Sequence, residues 1–179
     1  RTAPARRSIA YSLLAGSGAG VALKKTTGME GKLKWPNDLY VRSKKLCGIV
    51  TELVVEKHAA GIVIGIGINM NFDTNALSEE LKREVTSVLS ETGEKFSVEL
   101  IAASIINEID LRIEQIVSDE SFYNIVNESK SLSATLGKEV IAEREDESIV
   151  GLAVNIAEDG SLVIETKEGI LYQVTSGEV

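Results

Sequence analysis

Along the chain the apolar positions repeat in strand-like, then helix-like, then again strand-like fashion. At the front, Ser8 to Leu14 is expected as a short strand, followed by a helix over AGSGAGVALKK, residues 15–25. That helix has small residues on its packing face and is closed by Gly28. KLKW is expected as a strand, Pro36-Asn37-Asp38 as a turn, and LYV and KLCGIVTELVV as further strands rich in β-branched residues. After the polar connection EKHAAG, GIVIGIGINMNF continues in strand fashion. The period then becomes helical. Ser78 to Glu91 opens with a capping box and carries Leu81, Val85, Val88 and Leu89 at helical spacing. Val98 to Val117 predicts a longer helix with Ile101, Ile105, Ile109 and Ile116 on or near one face, and Phe122 to Ser129 a third. From about Leu136, EVIAER, IVGLAVNIA, SLVIET and ILYQVT read as four short strands. Turns at Asp146-Glu147, Glu158-Asp159-Gly160 and Lys167-Glu168-Gly169 join them.

This order predicts an α+β chain. A mixed β-sheet with packed helices fills residues 1–134, and a small C-terminal β-barrel fills residues 135–179. Charge divides differently. Residues 1–57 hold 11 Lys and Arg against 4 Asp and Glu, whereas the remainder holds 8 against 23. A basic front and an acidic back argue against nucleic-acid binding by the whole molecule and for anion handling near the front. The single cysteine, Cys47, excludes an internal disulfide framework and fits a reducing, cytoplasmic setting. No apolar run reaches the about 18 residues a membrane span needs. RTAPARR before SIAYSLLAGSGAGVAL imitates a secretory leader, but three glycines interrupt that run and it continues into LKKTTG.

Candidate chemistry concentrates in three stretches. In GIVIGIGINMN, strand alternation puts Ile62, Ile64, Ile66 and Ile68 on one face and Gly61, Val63, Gly65, Gly67 and Asn69 on the other. Mid-strand glycines mark a close approach, either by a packed helix or by a flat ligand, and spacing leaves both open. AGSGAG with Asp38 about 20 residues on imitates a dinucleotide-binding start, with a packing helix as the competing reading. In KLKWPNDLYVRSKKLCGIV, Lys34, Asp38, Lys44 and Lys45 fall on both sides of one hairpin, and Gly48 sits in the strand that follows. A charged surface turn accounts for the lysines. A site for an anionic group on a flat apolar body accounts for the lysines, the aspartate and the glycines together. His58 reads as a surface residue, and Cys47 as a small core residue.

Lys34-Trp35-Pro36-Asn37-Asp38, Lys45-x-x-Gly48-Ile49 and Gly65-Ile66-Gly67-Ile68-Asn69, in that order and spacing, resemble the biotin protein ligases. The resemblance covers roughly residues 8–179 and includes Glu84 to Glu94 and the terminal β segment. It implies a fold like that of the class II synthetases and a two-step reaction. Biotin and ATP, with Mg²⁺, give biotinyl-5′-adenylate and pyrophosphate, and the biotinyl group then passes to one lysine of a carboxylase's biotin carboxyl carrier domain. By position, Lys45 is implied as the lysine on the biotin carboxylate and α-phosphate, and Asp38 as the residue that orients or deprotonates the incoming amine. Lys34, Trp35, Asn37, Gly48, Gly65, Gly67 and Asn69 are implied as substrate- and ATP-binding, with no protein metal site. The Trp35-Pro36 pair favours biotin over lipoate within the shared fold.

Departures from the family pattern shape further expectations. The family's Gly-Arg-Gly-Arg-type loop and Ser-Thr-Asn segment have no counterpart here. Arg1-Thr2 is taken as the tail of that loop, Ser176 to Val179 as stopping slightly short of the usual end, and Leu14–Ala15 as a join across absent residues. No N-terminal DNA-binding helices are found. A non-catalytic biotin- or nucleotide-binding paralogue and a nicotinamide-nucleotide enzyme using Gly16 to Gly20 remain as alternatives. Pairing of an exposed sheet edge with a second copy is left open.

Overall fold

The computed structural model describes residues 4–56, 59–143 and 148–175. Expectations for Arg1-Thr2, His58, the Asp146-Glu147 turn and Ser176 to Val179 lie outside these residues. The chain opens with α1 (Pro4–Thr27), then runs β1 (Lys32–Lys34), β2 (Asp38–Val41), β3 (Lys44–Glu56) and β4 (Ala59–Ile68). After a short 3-10 turn come α2 (Glu79–Glu84), α3 (Val88–Thr92), α4 (Val98–Asp119) and α5 (Tyr123–Ser131). The chain ends with β5 (Glu139–Glu143), β6 (Ser148–Ile156), β7 (Leu162–Glu165) and β8 (Leu171–Val174).

Two four-stranded sheets form, ordered β1-β2-β3-β4 and β5-β6-β7-β8, with antiparallel ladders throughout. Parallel pairing among the described residues is confined to two isolated bridges, Leu33 with Ser133 and Lys45 with Val85. The small C-terminal β domain is thus a meander. No helix among the described residues is long and apolar enough to cross a membrane.

The expected strand at Ser8–Leu14 is instead the first half of α1, which continues unbroken through Leu14–Ala15. From Ile9 to Leu23 almost every position is buried, so no one-sided helical period exists to be read. A short apolar run of that kind cannot be told from a strand by periodicity. The glycines serve this burial. A β-carbon at Gly16 would stand 2.6 Å from Leu33 Cδ2, and one at Gly18 would stand 3.3 Å from Ile109 Cγ1. They let the helix lie against the sheet on one side and α4 on another. The dinucleotide-loop reading of Gly16 to Gly20 is thereby overturned, because these residues sit mid-helix.

The helix expected over Ser78–Glu91 is two. Ser78 does cap α2, accepting from the Leu81 amide, but the helix stops at Val85. There the backbone turns to pair with β3, the Thr86 amide donating to the Lys45 carbonyl at 2.9 Å. Ser87 then caps α3. The Val98 helix runs as expected, to Asp119.

Two cores result. The first packs Ala15, Ala19, Leu23, Leu33, Leu39, Leu46, Ile49, Val88 and Ile101 between the first sheet and the helices. The second packs Ile9, Leu13, Trp35 and Val126 against the inner face of the C-terminal sheet, where Ala142, Ile156, Leu162 and Ile164 lie. Trp35, from the β1–β2 turn, is the member of the second core that the first sheet supplies.

Candidate active site

The β1–β2 turn is Trp35-Pro36-Asn37, with a cis Trp35–Pro36 bond, and it delivers Asp38 to the start of β2. Asn37 locks the turn onto β3. Its Nδ2 donates to the Ile49 carbonyl at 2.9 Å, and the Ile49 amide donates to the Asn37 carbonyl at 2.9 Å. The β2–β3 turn is a two-residue hairpin with Arg42 and Ser43 at positive φ, the geometry that matches strand twist.

Strict alternation along β3 would put Lys45 on the side of Cys47 and Ile49, both buried. The ladder avoids this with a bulge: Leu39 pairs with Cys47 but Tyr40 with Lys45, leaving Leu46 as the extra residue. Leu46 and Cys47 both go inward, and Lys45 emerges on the outer face. There its Nζ meets Asp38 Oδ1 at 2.7 Å. The bulge is held from behind, because the Lys45 carbonyl accepts from the Thr86 amide and, at 3.4 Å, from Asn69 Nδ2.

Gly48 makes room for the pair. It faces Asp38 across the ladder, and a β-carbon there would lie 3.3 Å from Lys45 Cε and 3.6 Å from Asp38 Oδ1. Gly48→Ala is therefore expected to leave the melting temperature nearly unchanged while shifting the ammonium. A shift of a few tenths of an ångström is expected to cost about threefold to tenfold in turnover, less than the roughly 100-fold cost of a full ångström misplacement. Steady-state rates alongside a thermal melt check this, and an unchanged rate would show that the pair tolerates the methyl group.

On the same outer face Gly48 pairs with Gly67 and Val50 with Gly65. A β-carbon at Gly65 or Gly67 would meet only a carbonyl of the neighbouring strand, 3.9 Å away. None of the described elements packs on this strip, so the packed-helix explanation of the glycines fails. Asp38, Lys45, Lys34, Tyr40 and Val50 border a cleft of about 940 Å³, closed on its far side by Ile141, Glu143 and Thr175 of the C-terminal domain. Lys34 Nζ lies over the Tyr40 ring, 5.5 Å from its centre.

Not every expected residue converges. Lys44 turns away and its Nζ donates to the Lys82 carbonyl at the end of α2. Trp35 borders the cleft but is only 2% exposed, and its indole N–H donates to the Gly160 carbonyl. Asn69 holds the Lys45 backbone. Burial pushes the Cys47 thiol up to about 12, which fits a core residue rather than a nucleophile. Tyr40 and Glu143 were missed. Tyr40 lies two residues beyond Asp38 and so shares its face, a signal the strand period carries. Glu143 comes from the other sheet, which no local pattern reveals. Among the described residues no three His, Cys, Asp or Glu side chains gather to hold a metal. The donors at the cleft suit Mg²⁺ that arrives with phosphates, since that ion uses one or two carboxylates beside substrate oxygens.

The family model described as biotin/lipoate A/B protein ligase matches residues 3–69, and that of the biotin protein ligase C-terminal domain matches residues 135–179. The chain is 32% identical over 171 residues to the bifunctional ligase/repressor BirA of Bacillus subtilis, covering 93% of this chain and 51% of that protein. It is 30% identical over 173 residues to BirA of Escherichia coli, covering 96% and 53%. The chain thus spans about half the length of these relatives. It superimposes on the biotin protein ligase from Aquifex aeolicus in complex with biotin and ATP with a TM-score of 0.81. That match has 30% identity and covers 95% of this chain and 69% of the other. Two family models, relatives matched over nearly the whole of this chain and a shared fold agree: the chain belongs to the biotin protein ligase family.

Proposed function

We propose that this chain joins biotin to a lysine of a carboxylase's biotin carboxyl carrier domain, by way of biotinyl-5′-adenylate formed from ATP. One observation carries the reading: the Lys45–Asp38 pair, 2.7 Å apart, stands at a cleft beside an uncovered glycine strip. The strip suits a flat body, and Lys45 suits the carboxylate at its end. In the first step a biotin carboxylate oxygen bonds to the α-phosphorus and pyrophosphate leaves. The Lys45 ammonium offsets the negative charge that gathers there. In the second step the acceptor amine attacks the acyl carbon and adenylate leaves. Asp38 orients that amine and takes its proton. Lys34 and Asn37 support the nucleotide side, Lys34 directly and Asn37 by holding the turn. Gly48, Gly65 and Gly67 are not in the cleft wall itself but give the bare sheet beside it on which a flat body could extend. Asn69 acts through the Lys45 backbone. Residues 1–134 serve as the catalytic domain and residues 135–179 as its C-terminal companion. The exposed Val50, Val54 and Val63 on the same sheet suit pairing with a second copy. A cytoplasmic setting fits the buried single cysteine.

The test mixes the chain with biotin, ATP, Mg²⁺ and a purified carrier domain. Expected are biotin-dependent pyrophosphate release and a mass gain of one biotinyl group on the carrier. Biotin binding by calorimetry with no pyrophosphate would instead identify a non-catalytic paralogue.

A further inference from the structure

Trp35 holds a place in the family motif, yet its ring is sealed inside the second core and makes its hydrogen bond away from the cleft. Its indole N–H donates to the Gly160 carbonyl at 2.9 Å, and its backbone amide donates to Thr135 Oγ1 at 3.0 Å. Both acceptors belong to the C-terminal domain or its entry. The same entry segment runs beside β1, the Leu33 amide donating to the Leu132 carbonyl at 2.8 Å and the Ala134 amide to the Leu33 carbonyl at 2.7 Å. Gly160 is wedged in turn: it sits at φ +87°, and a β-carbon there would lie 3.0 Å from the Ala10 nitrogen on α1. Three residues after Trp35 comes Asp38.

We propose that Trp35 is a positioning residue through which the C-terminal domain fixes the Pro36-Asn37-Asp38 turn, and so the approach of Asp38 to Lys45. The physical basis is rigidity. One end of the turn is tied to the C-terminal domain through Trp35, and the other is tied to β3 through Asn37 and Ile49. With both ends held, Asp38 has one place to stand. Release of the Trp35 end removes the direct tie of the turn to the C-terminal domain and leaves it to the short β1–β2 ladder and to β3, and a carboxylate displaced by an ångström loses most of its catalytic value. A residue that only filled the core would alter the melting temperature and nothing else.

The inference rests on Asp38 and Lys45 being the reacting pair, and two readouts separate its failure from that of the ligase reading. Thr135→Val removes the acceptor of the Trp35 amide, Trp35→Phe removes the indole donor while keeping most of the ring, and Thr135→Ser keeps a hydroxyl. In the full chain, well below the melting temperature, Thr135→Val and Trp35→Phe are expected to lower kcat for transfer about 10- to 100-fold. KM for biotin and ATP should stay within about twofold, because the lysines and glycine strip are untouched, and Thr135→Ser should match the parent. Native-state hydrogen exchange gives the second readout, which needs no activity. The Ile49 amide, bonded to the Asn37 carbonyl, should lose about tenfold protection in the two damaging variants while the α4 amides keep theirs. Unchanged Ile49 protection in both variants would overturn the proposal even if the parent chain proved inactive. Unchanged kcat in an active parent would overturn it as well.

Discussion

Lys45→Ala is expected to slow biotin-dependent pyrophosphate release by about 10²- to 10³-fold, the usual cost of one preorganised group facing transition-state charge. The effect is more than the loss of a cation. Lys45 is the partner of Asp38 at 2.7 Å, so in the proposed reaction its removal leaves a carboxylate facing two incoming anions, the biotin carboxylate and the triphosphate. Attraction becomes repulsion at the point where charge must accumulate, and at a few ångströms near a protein surface each such pair is worth about 4 kcal/mol. Lys44→Ala is the control, because that ammonium caps α2 at the Lys82 carbonyl. Its rate should stay within about threefold of the parent, a change no larger than a lost exposed contact brings. Pyrophosphate release at saturating biotin and ATP reads both. A fully active Lys45→Ala would remove the assigned role, and equal losses in the two variants would mean that charge on the hairpin matters rather than Lys45 itself.

Arg112→Ala is expected to destabilise the fold by about 3–5 kcal/mol, the cost of breaking a buried ion network from one side. The Arg112 side chain is 8% exposed; its guanidinium reaches Glu108 Oε2 at 2.8 Å and Glu128 Oε1 at 2.6 Å, and its Nε also donates to Ser17 Oγ on α1. One side chain therefore ties α1, α4 and α5 together where glycines let them approach. Arg112→Lys should recover only part of the loss, since an ammonium cannot fork between two carboxylates. A pH dependence accompanies this. The Lys25 ammonium and then the Arg112 guanidinium hold the Glu108 carboxyl below its ordinary value. A carboxyl whose folded pKa is depressed contributes stability above its unfolded pKa, about 4.3, and that stability is lost as pH falls through the lower folded value. In Arg112→Ala part of this acid-side decline should vanish, because Glu108 keeps only Lys25. Urea melts at pH 7 and across the acid range check both claims, and parent-like stability at pH 7 would show the network to be replaceable.

Much of the fold and of the site is legible in the order of residues alone. The α4 helix, the four C-terminal strands and the β1–β2 hairpin follow from periodicity and turn chemistry, because each buries one face and leaves the other wet. Placing Asp38 beside Gly48 and the Gly65–Gly67 strip requires only the period-two rule. Two elements are not legible, each for a reason of packing. The Ser8–Leu14 segment is helix although it reads as strand, because it is buried on all sides, and burial on all sides erases the period that distinguishes the two. The helix expected over residues 78–91 breaks because Val85 and Thr86 find a backbone partner in Lys45, far away along the chain.

The amino-acid sequence by itself determined which groups are available and that Asp38, Gly48, Gly65 and Gly67 share one side of a short antiparallel sheet, with Lys34 and Lys45 close by along the chain. The tertiary structure decided where they point. By parity Lys45 belongs inside, with Cys47 and Ile49, and it reaches Asp38 only because a bulge at Leu46 is held in place by Thr86 and Asn69. Trp35 could have been a ligand platform or a core residue, and the choice was made by a carbonyl 125 residues away. Local patterns encode burial on one face of one element. Register shifts and contacts between domains arise from the competition of distant backbone groups for the same hydrogen-bond partners, and only the folded chain resolves that competition.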